Sequence, residues 1–242
     1  MNLTKDSIWI LLRKVTIPAS TGSLFMTFYN LVDTYFAGKI SPEALAAVAK
    51  SWPITFIALA ISIGIQAGTQ SLISNSIGAK KNKIASLYVA QSITFAILIS
   101  IFVTLFGLNF SEHLLKIMGS SPESIILTRE YLDIIFYGSI IILVQLSLNG
   151  TLSAQGDTKS YRNILIISFF LNIFLNPLFI FGYGIIPAFG IAGLAISTLI
   201  AQGIGVLYLI YKVYCCKLKK FLYLECFIPK INLLINLFKQ SV

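Results

Sequence analysis

Charge is what this chain has least of: 11% of its 242 residues are Asp, Glu, Lys or Arg, against 57% hydrophobic residues and a mean hydropathy of +0.86. That balance lies outside the range of a water-soluble domain and leaves no stretch for a soluble enzyme or a DNA-reading module. One histidine, His113, and three cysteines, Cys215, Cys216 and Cys226, provide no His and Cys cluster. With no paired acids or nucleophile–base constellation either, an integral membrane enzyme is a poor reading. Strand-like alternation of polar and apolar residues is also missing, which excludes a β-barrel.

What is present is a set of long apolar runs. A helix needs about 20 such residues to cross a hydrocarbon core of about 30 Å. Six stretches reach that length, none of them containing Lys or Arg: roughly Val15 to Gly38, Pro53 to Ile77, Ile84 to Phe110, Tyr131 to Ser153, Asn163 to Gly182 and Gly190 to Tyr211. The Gly and Pro turn "GYGIIPAFG" splits the last two. The expectation is an all-α integral membrane protein, a bundle of six transmembrane helices.

Basic residues set its orientation. Fourteen of the eighteen Lys and Arg fall before the first span, between spans two and three, between four and five, and after six; Lys39, Lys50, Lys116 and Arg129 fall on the other side. The positive-inside rule then places both termini in the cytoplasm of a multi-pass protein of the cell membrane. The net charge of +9 sits where it sets topology and meets anionic lipid, so no nucleic-acid partner is expected. The first apolar patch is broken by Arg13 and Lys14 and leads into the first span, unlike a cleavable signal peptide. The three cysteines fall in the cytoplasmic tail, where a structural disulfide is not expected, though the adjacent pair is a candidate for acylation. His113 falls in an outer loop, "NFSEHLLKIMGSSPE", as a solvated residue.

The informative residues are polar ones inside the spans. Measured from the outer ends at about 1.5 Å per residue, Asp33 lies about 7 to 8 Å deep, Asn176 about 9 Å and Thr198 about 12 Å. Three spans thus bring polar groups to one level. Tyr29 is one turn before Asp33, and Asn172 one turn before Asn176, so each pair shares a helix face. Pro177 lacks an N–H and leaves the carbonyl of Ile173 without its helical partner. Such a set of carboxylate, amide, hydroxyl and carbonyl oxygens suits a proton or a small cation. Asn and Thr in membrane helices also serve as interhelical glue worth about 0.6 to 2 kcal/mol. A carboxylate is different, since burying it costs several kcal/mol unless it is neutral or paired, and such residues mark ion paths and proton relays. Phe25, Met26 and Phe28 are candidates to line a cavity for aromatic cations, against plain packing as the alternative. Gly22, Gly64, Gly68 and Gly78 offer close helix contacts or bending points.

"IPASTGSLFMTFYNLVDTYFAG", "SPEALAAVA", "IGAKKNKIAS", "SAQGDTKSYRN", "LNIFLNPLFIFG" and "GIAGLAISTLIAQ" occur in order through the chain. Together they resemble the amino-terminal lobe of a multidrug and toxic compound extrusion (MATE) transporter. The resemblance implies a twelve-helix antiporter of two six-helix lobes, exporting small organic cations, drugs or metabolites in exchange for H+ or Na+, with no other cofactor. It also implies a cation and proton site at Tyr29, Asp33, Asn172, Asn176 and Thr198, adding Asn149, which lies nearer the cytoplasm. Where some members carry a second aspartate this chain has Asn176, so one acid is left to titrate.

Residues 1–214 are then the lobe, 215–230 a cytoplasmic connector, and 231–242 the cut-short start of a second lobe, because "INLLINLFKQSV" echoes "DSIWILLRKVTI". The partners expected are the bilayer and either the missing lobe or another copy of the chain. The rival readings are a self-associating half-transporter, an inactive fragment, and a flippase for lipid-linked substrates, whose cavity would show more cationic side chains.

Overall fold

The computed structural model describes residues 8–216, 218–219 and 223–241; Lys5, Lys217 and Lys220 of the basic flanks, and Val242, lie outside the described residues. Eight α-helices follow one another: α1 Ile8–Ile40, α2 Pro42–Gly78, α3 Asn82–Ile117, α4 Pro122–Tyr137, α5 Ser139–Ser153, α6 Lys159–Phe181, α7 Ile191–Tyr214 and α8 Ile231–Ser241. A 3-10 turn at Leu224–Phe227 precedes α8. On length and composition α2, α3, α6 and α7 can each cross a membrane, and α4 with α5 form a fifth crossing. α1 has the length, at 33 residues, but Ser20, Thr21, Ser23, Thr27, Asn30 and Asp33 make it the most polar of the expected six.

Several boundaries differ from the sequence reading. α2 begins at Pro42, not Pro53, because Ser41 caps it: its side chain accepts from Ala44 N–H at 3.0 Å, and Pro42 occupies the first turn, where a missing N–H costs nothing. α3 runs on to Ile117, so His113 is helical and not in a loop. The fourth span is not one helix, for α4 and α5 meet at Gly138 with a 48° bend. The bend is closely packed: a Cβ on Gly138 would collide with Leu199 of α7, and one on Gly107 of α3 would collide with the ring of Phe136. The carbonyl of Phe136 at the bend accepts from the Thr104 hydroxyl at 2.8 Å, which in turn lies 2.9 Å from Ser139 Oγ. That span also contains an acid, Asp133, paired with Arg129 one turn earlier at 3.4 Å; Arg129 reaches Glu112 of α3 at 2.8 Å as well.

Two helix groups form the bundle. α1 packs on α6 and α6 on α7, while α2 packs on α3, α5 and α8, with α5 and α4 reaching across to α7. The α6–α7 hairpin is closed by two backbone bonds, Phe189 N to Phe179 O at 3.0 Å and Gly190 N to Ile180 O at 3.1 Å. Gly182 and Gly190 take positive φ at its corners, a conformation open to glycine at little cost. Gly64 and Gly68 of α2 accept α8 at backbone distance; a Cβ on Gly68 would lie 2.6 Å from Ser241 Oγ.

The segment before α8 is tied to α3 by a fully buried side chain. Gln91 Nε2 donates to Cys226 O and Ile228 O, each at 2.7 Å, and its Oε1 accepts from Lys230 N at 2.8 Å. Thr94 adds a bond to Phe227 O at 3.0 Å. Replacing Gln91 by Leu strands three backbone groups, at about 1 to 3 kcal/mol each. Hydrogen exchange in Gln91→Leu should accelerate at residues 226–234 and stay unchanged in α6 and α7; unchanged exchange at both places would refute the tie.

Candidate cation and proton site

Asp33 is the one acid in the described bundle that is buried, and its partners are neutral. Asn172 Nδ2 donates to Asp33 Oδ1 at 2.8 Å and Asn176 Nδ2 donates to the same oxygen at 2.9 Å. Because the two asparagines stand one turn apart on α6, both amides reach a single carboxylate oxygen. Each also bonds to the other, with Asn176 Nδ2 3.0 Å from Asn172 Oδ1. Both are fully buried. Asp33 Oδ2 has one neighbour, Thr198 Oγ1 of α7 at 3.5 Å. Ser197 donates to Asn176 Oδ1 and also to its own helix at Leu194 O. No Lys or Arg pairs with Asp33 among the described residues.

Asp33 borders a cavity of about 160 Å³ between α1, α2, α4, α5 and α7. Tyr29 and Tyr131 stand on its wall, and the buried Tyr29 hydroxyl has no hydrogen-bond partner. The 48° bend at Gly138 brings Ser139 to the wall beside Tyr131.

Of the residues expected at this site, Asp33, Asn172, Asn176 and Thr198 are joined by hydrogen bonds and Tyr29 lines the same cavity. Asn149 is not there. It lies in a separate cavity with Gln66 and Arg162, and its amide oxygen accepts from Ser153 at 3.3 Å. The reason is depth, since Asn149 belongs to the last turns of α5, at the far end from the bend. The aromatic candidates also move. Phe25 and Phe28 pack with Phe169 of α6 at centroid distances of 5.5 and 6.0 Å, on a different face of α1 from Asp33. Met26 lines the Asn149 cavity. Ile173 borders an outer groove with Phe28 and not the Asp33 cavity.

Sequence reasoning missed Ser197, Tyr131 and Gln202. Gln202 had a signal, one turn after Thr198 on α7; Ser197 had none beyond adjacency, and Tyr131 was hidden by the bend.

An all-helical membrane bundle that buries a lone carboxylate among amides and hydroxyls has the features of a transport lobe. The sequence profile of the MatE family matches residues 18–178, and the chain belongs to that family. It is 29% identical over 188 residues to the FAD transporter of Shewanella oneidensis, covering 78% of this chain and 42% of that one. Over 199 residues it is 28% identical to the probable multidrug resistance protein YoeA of Bacillus subtilis, 82% of this chain and 43% of the other. A solved structure described as "Crystal structure of MATE in the bent conformation" superposes with a TM-score of 0.84 at 27% identity, covering 96% of this chain and 51% of that one. The chain spans about half the length of the relatives it matches.

The bonds around Asp33 should be strongly coupled. Asp33→Asn and Asn176→Leu each remove part of one network, so a double-mutant cycle on thermal unfolding in detergent should give an interaction energy of about 1 to 3 kcal/mol. Additive effects would mean that the Asn176 amide does not act on the carboxylate.

Proposed function

We propose that this chain is one lobe of a cation-coupled exporter, in which Asp33 takes up and releases the coupling ion while small organic molecules leave the cell. The observation that carries the reading is the carboxylate itself: it is buried and held by two amide donors, with no positive group to neutralise it. An intramembrane acid so placed marks an ion path. Both termini lie in the cytoplasm on this reading, from the distribution of Lys and Arg.

Between H+ and Na+, the atoms favour the proton. A sodium ion needs several oxygen ligands, yet the asparagines turn N–H groups toward Asp33, and their own oxygens are occupied by Ser197 and by each other. What remains is Asp33 Oδ2, whose one hydrogen-bond neighbour is the Thr198 hydroxyl at 3.5 Å, on a residue that lines the cavity with Tyr29 and Thr198. One carboxylate oxygen with a single long hydrogen bond is a site for one proton. Gain of that proton removes the charge and loosens the amide grip, which lets α1 repack against α6 and α7 as the lobes rock between outward and inward states.

The substrates proposed are small organic molecules, often cationic, by analogy with the relatives named as multidrug resistance proteins; the Shewanella oneidensis relative is named as an FAD transporter. The other half of the pathway comes from a second lobe or from another copy of this chain.

In the complete transporter, Asp33→Asn should abolish ethidium efflux from cells lacking their own pumps while its amount in the membrane stays normal. Full efflux by that variant would refute the role of Asp33. With this 242-residue chain expressed alone, efflux that an uncoupler stops would support self-association of two lobes, and its absence from inserted protein would require a different second lobe.

A further inference from the structure

A second cavity in the bundle carries the opposite charge. It measures about 230 Å³ and lies where the N-terminal half of α1 meets α2, the end of α5 and the start of α6. Gly22 on this wall and Asp33 are eleven residues, or about 16 Å, apart along α1. Gln66, Asn149, Ser153, Tyr161 and Arg162 give the cavity its polar side, and Met26 and Leu165 its apolar side. Among the described residues no acid lines it, and Arg162 is its only charged residue.

Among the described residues that arginine has no anion. Its Nε and Nη2 both donate to one neutral acceptor, Asn163 Oδ1, at 3.2 and 2.7 Å. The acid nearest in sequence, Asp157, is engaged elsewhere: it accepts from the N–H groups of Lys159 and Ser160 at 3.1 and 3.0 Å and from Ser160 Oγ at 2.6 Å. A guanidinium has five donors in a planar fork matched to carboxylate or phosphate, and a single amide oxygen leaves that fork largely unused. Asn149 has its oxygen turned to Ser153, so its Nδ2 donors remain for a ligand. Reaching for water at a membrane boundary accounts for an arginine alone. It does not account for a cavity that this arginine shares with amides from α2 and α5 and a tyrosine from α6, with no acid among the described lining residues.

We propose that this cavity is an anion subsite, taking the phosphate or carboxylate group of an amphipathic molecule whose apolar part lies on Met26 and Leu165. The inference is independent of coupling at Asp33. The phosphate can belong to a dissolved amphiphile or to an anionic phospholipid of the surrounding bilayer.

The test uses the 242-residue chain in phosphatidylcholine nanodiscs, its thermal midpoint followed during titration with octyl phosphate, and separately in nanodiscs containing phosphatidylglycerol. Octyl phosphate at a hundredfold excess over its Kd should raise the midpoint by about 5 °C or more, with octanol as the uncharged control giving no rise. Arg162→Gln removes the guanidinium; Asn149→Asp keeps it and puts a carboxylate in the same cavity, so it reports even where the arginine variant fails to fold. A rise with octyl phosphate that both folded variants lose supports a soluble amphiphile. A rise on adding phosphatidylglycerol that they lose supports a lipid headgroup. Equal rises in the parent chain and both variants, or no rise of the parent chain with either probe, would overturn the proposal.

Discussion

An acid buried in a membrane bundle has to be surrounded by fixed dipoles, because neither water nor lipid can supply them, and much of this structure follows from meeting that condition at Asp33. The dipoles come from three helices. α1 brings the carboxylate, α6 brings two amides one turn apart, and α7 brings Thr198 and, through Ser197, the bond that orients Asn176. A slip of one residue between α6 and α7 would turn the Ser197 hydroxyl away from Asn176. The hairpin between them prevents that slip, with paired backbone bonds at Phe179 and Ile180 and with Gly193, whose missing Cβ lets α7 lie against the Phe179 carbonyl.

The bend in the fourth span belongs to the same arrangement. α4 and α5 meet at Gly138, and the Leu199 side chain of α7 stands where a Cβ on that residue would be. The freed carbonyl of Phe136 is answered by Thr104, so the break leaves no stranded acceptor at that point. Tyr131 from one half and Ser139 from the other line the same cavity as Asp33. The two halves of the broken span thus both contribute to the cavity wall.

Much of this could be read from the chain before any coordinates. Asp33, Asn172, Asn176 and Thr198 share one depth and the right helical faces, because a rise of 1.5 Å per residue and a period of 3.6 are properties of any helix. What failed depended on contacts between distant segments. The bend at Gly138 packs against Leu199, some sixty residues away, and an apolar run carries no mark of it. Phe25 and Phe28 read as cavity residues until Phe169 and Phe170 of α6 turn out to be packed on them. Asn149 came from family resemblance and not from depth, and depth is what separates it from Asp33. Asp133 lies inside the run read from Tyr131 to Ser153, and Arg129, one turn earlier, pairs with it there.

One helix links the two ends of the bundle. α1 is continuous from Ile8 to Ile40, with Pro18 inside it, and it gives Asp33 to one cavity and Gly22 and Met26 to the other. At both levels its neighbour is α6, through the asparagines at one end and through Leu165 and Arg162 at the other. A Cβ on Gly22 would stand 3.2 Å from Leu165 Cδ1, so the two helices touch without slack at the lower cavity. α1 therefore cannot shift along α6 at the level of Asp33 without changing the wall that faces Arg162. Whatever neutralises the carboxylate and moves α1 alters the shape of both cavities together, and an occupant that prefers one of those shapes is linked to the charge on Asp33 by the same rod.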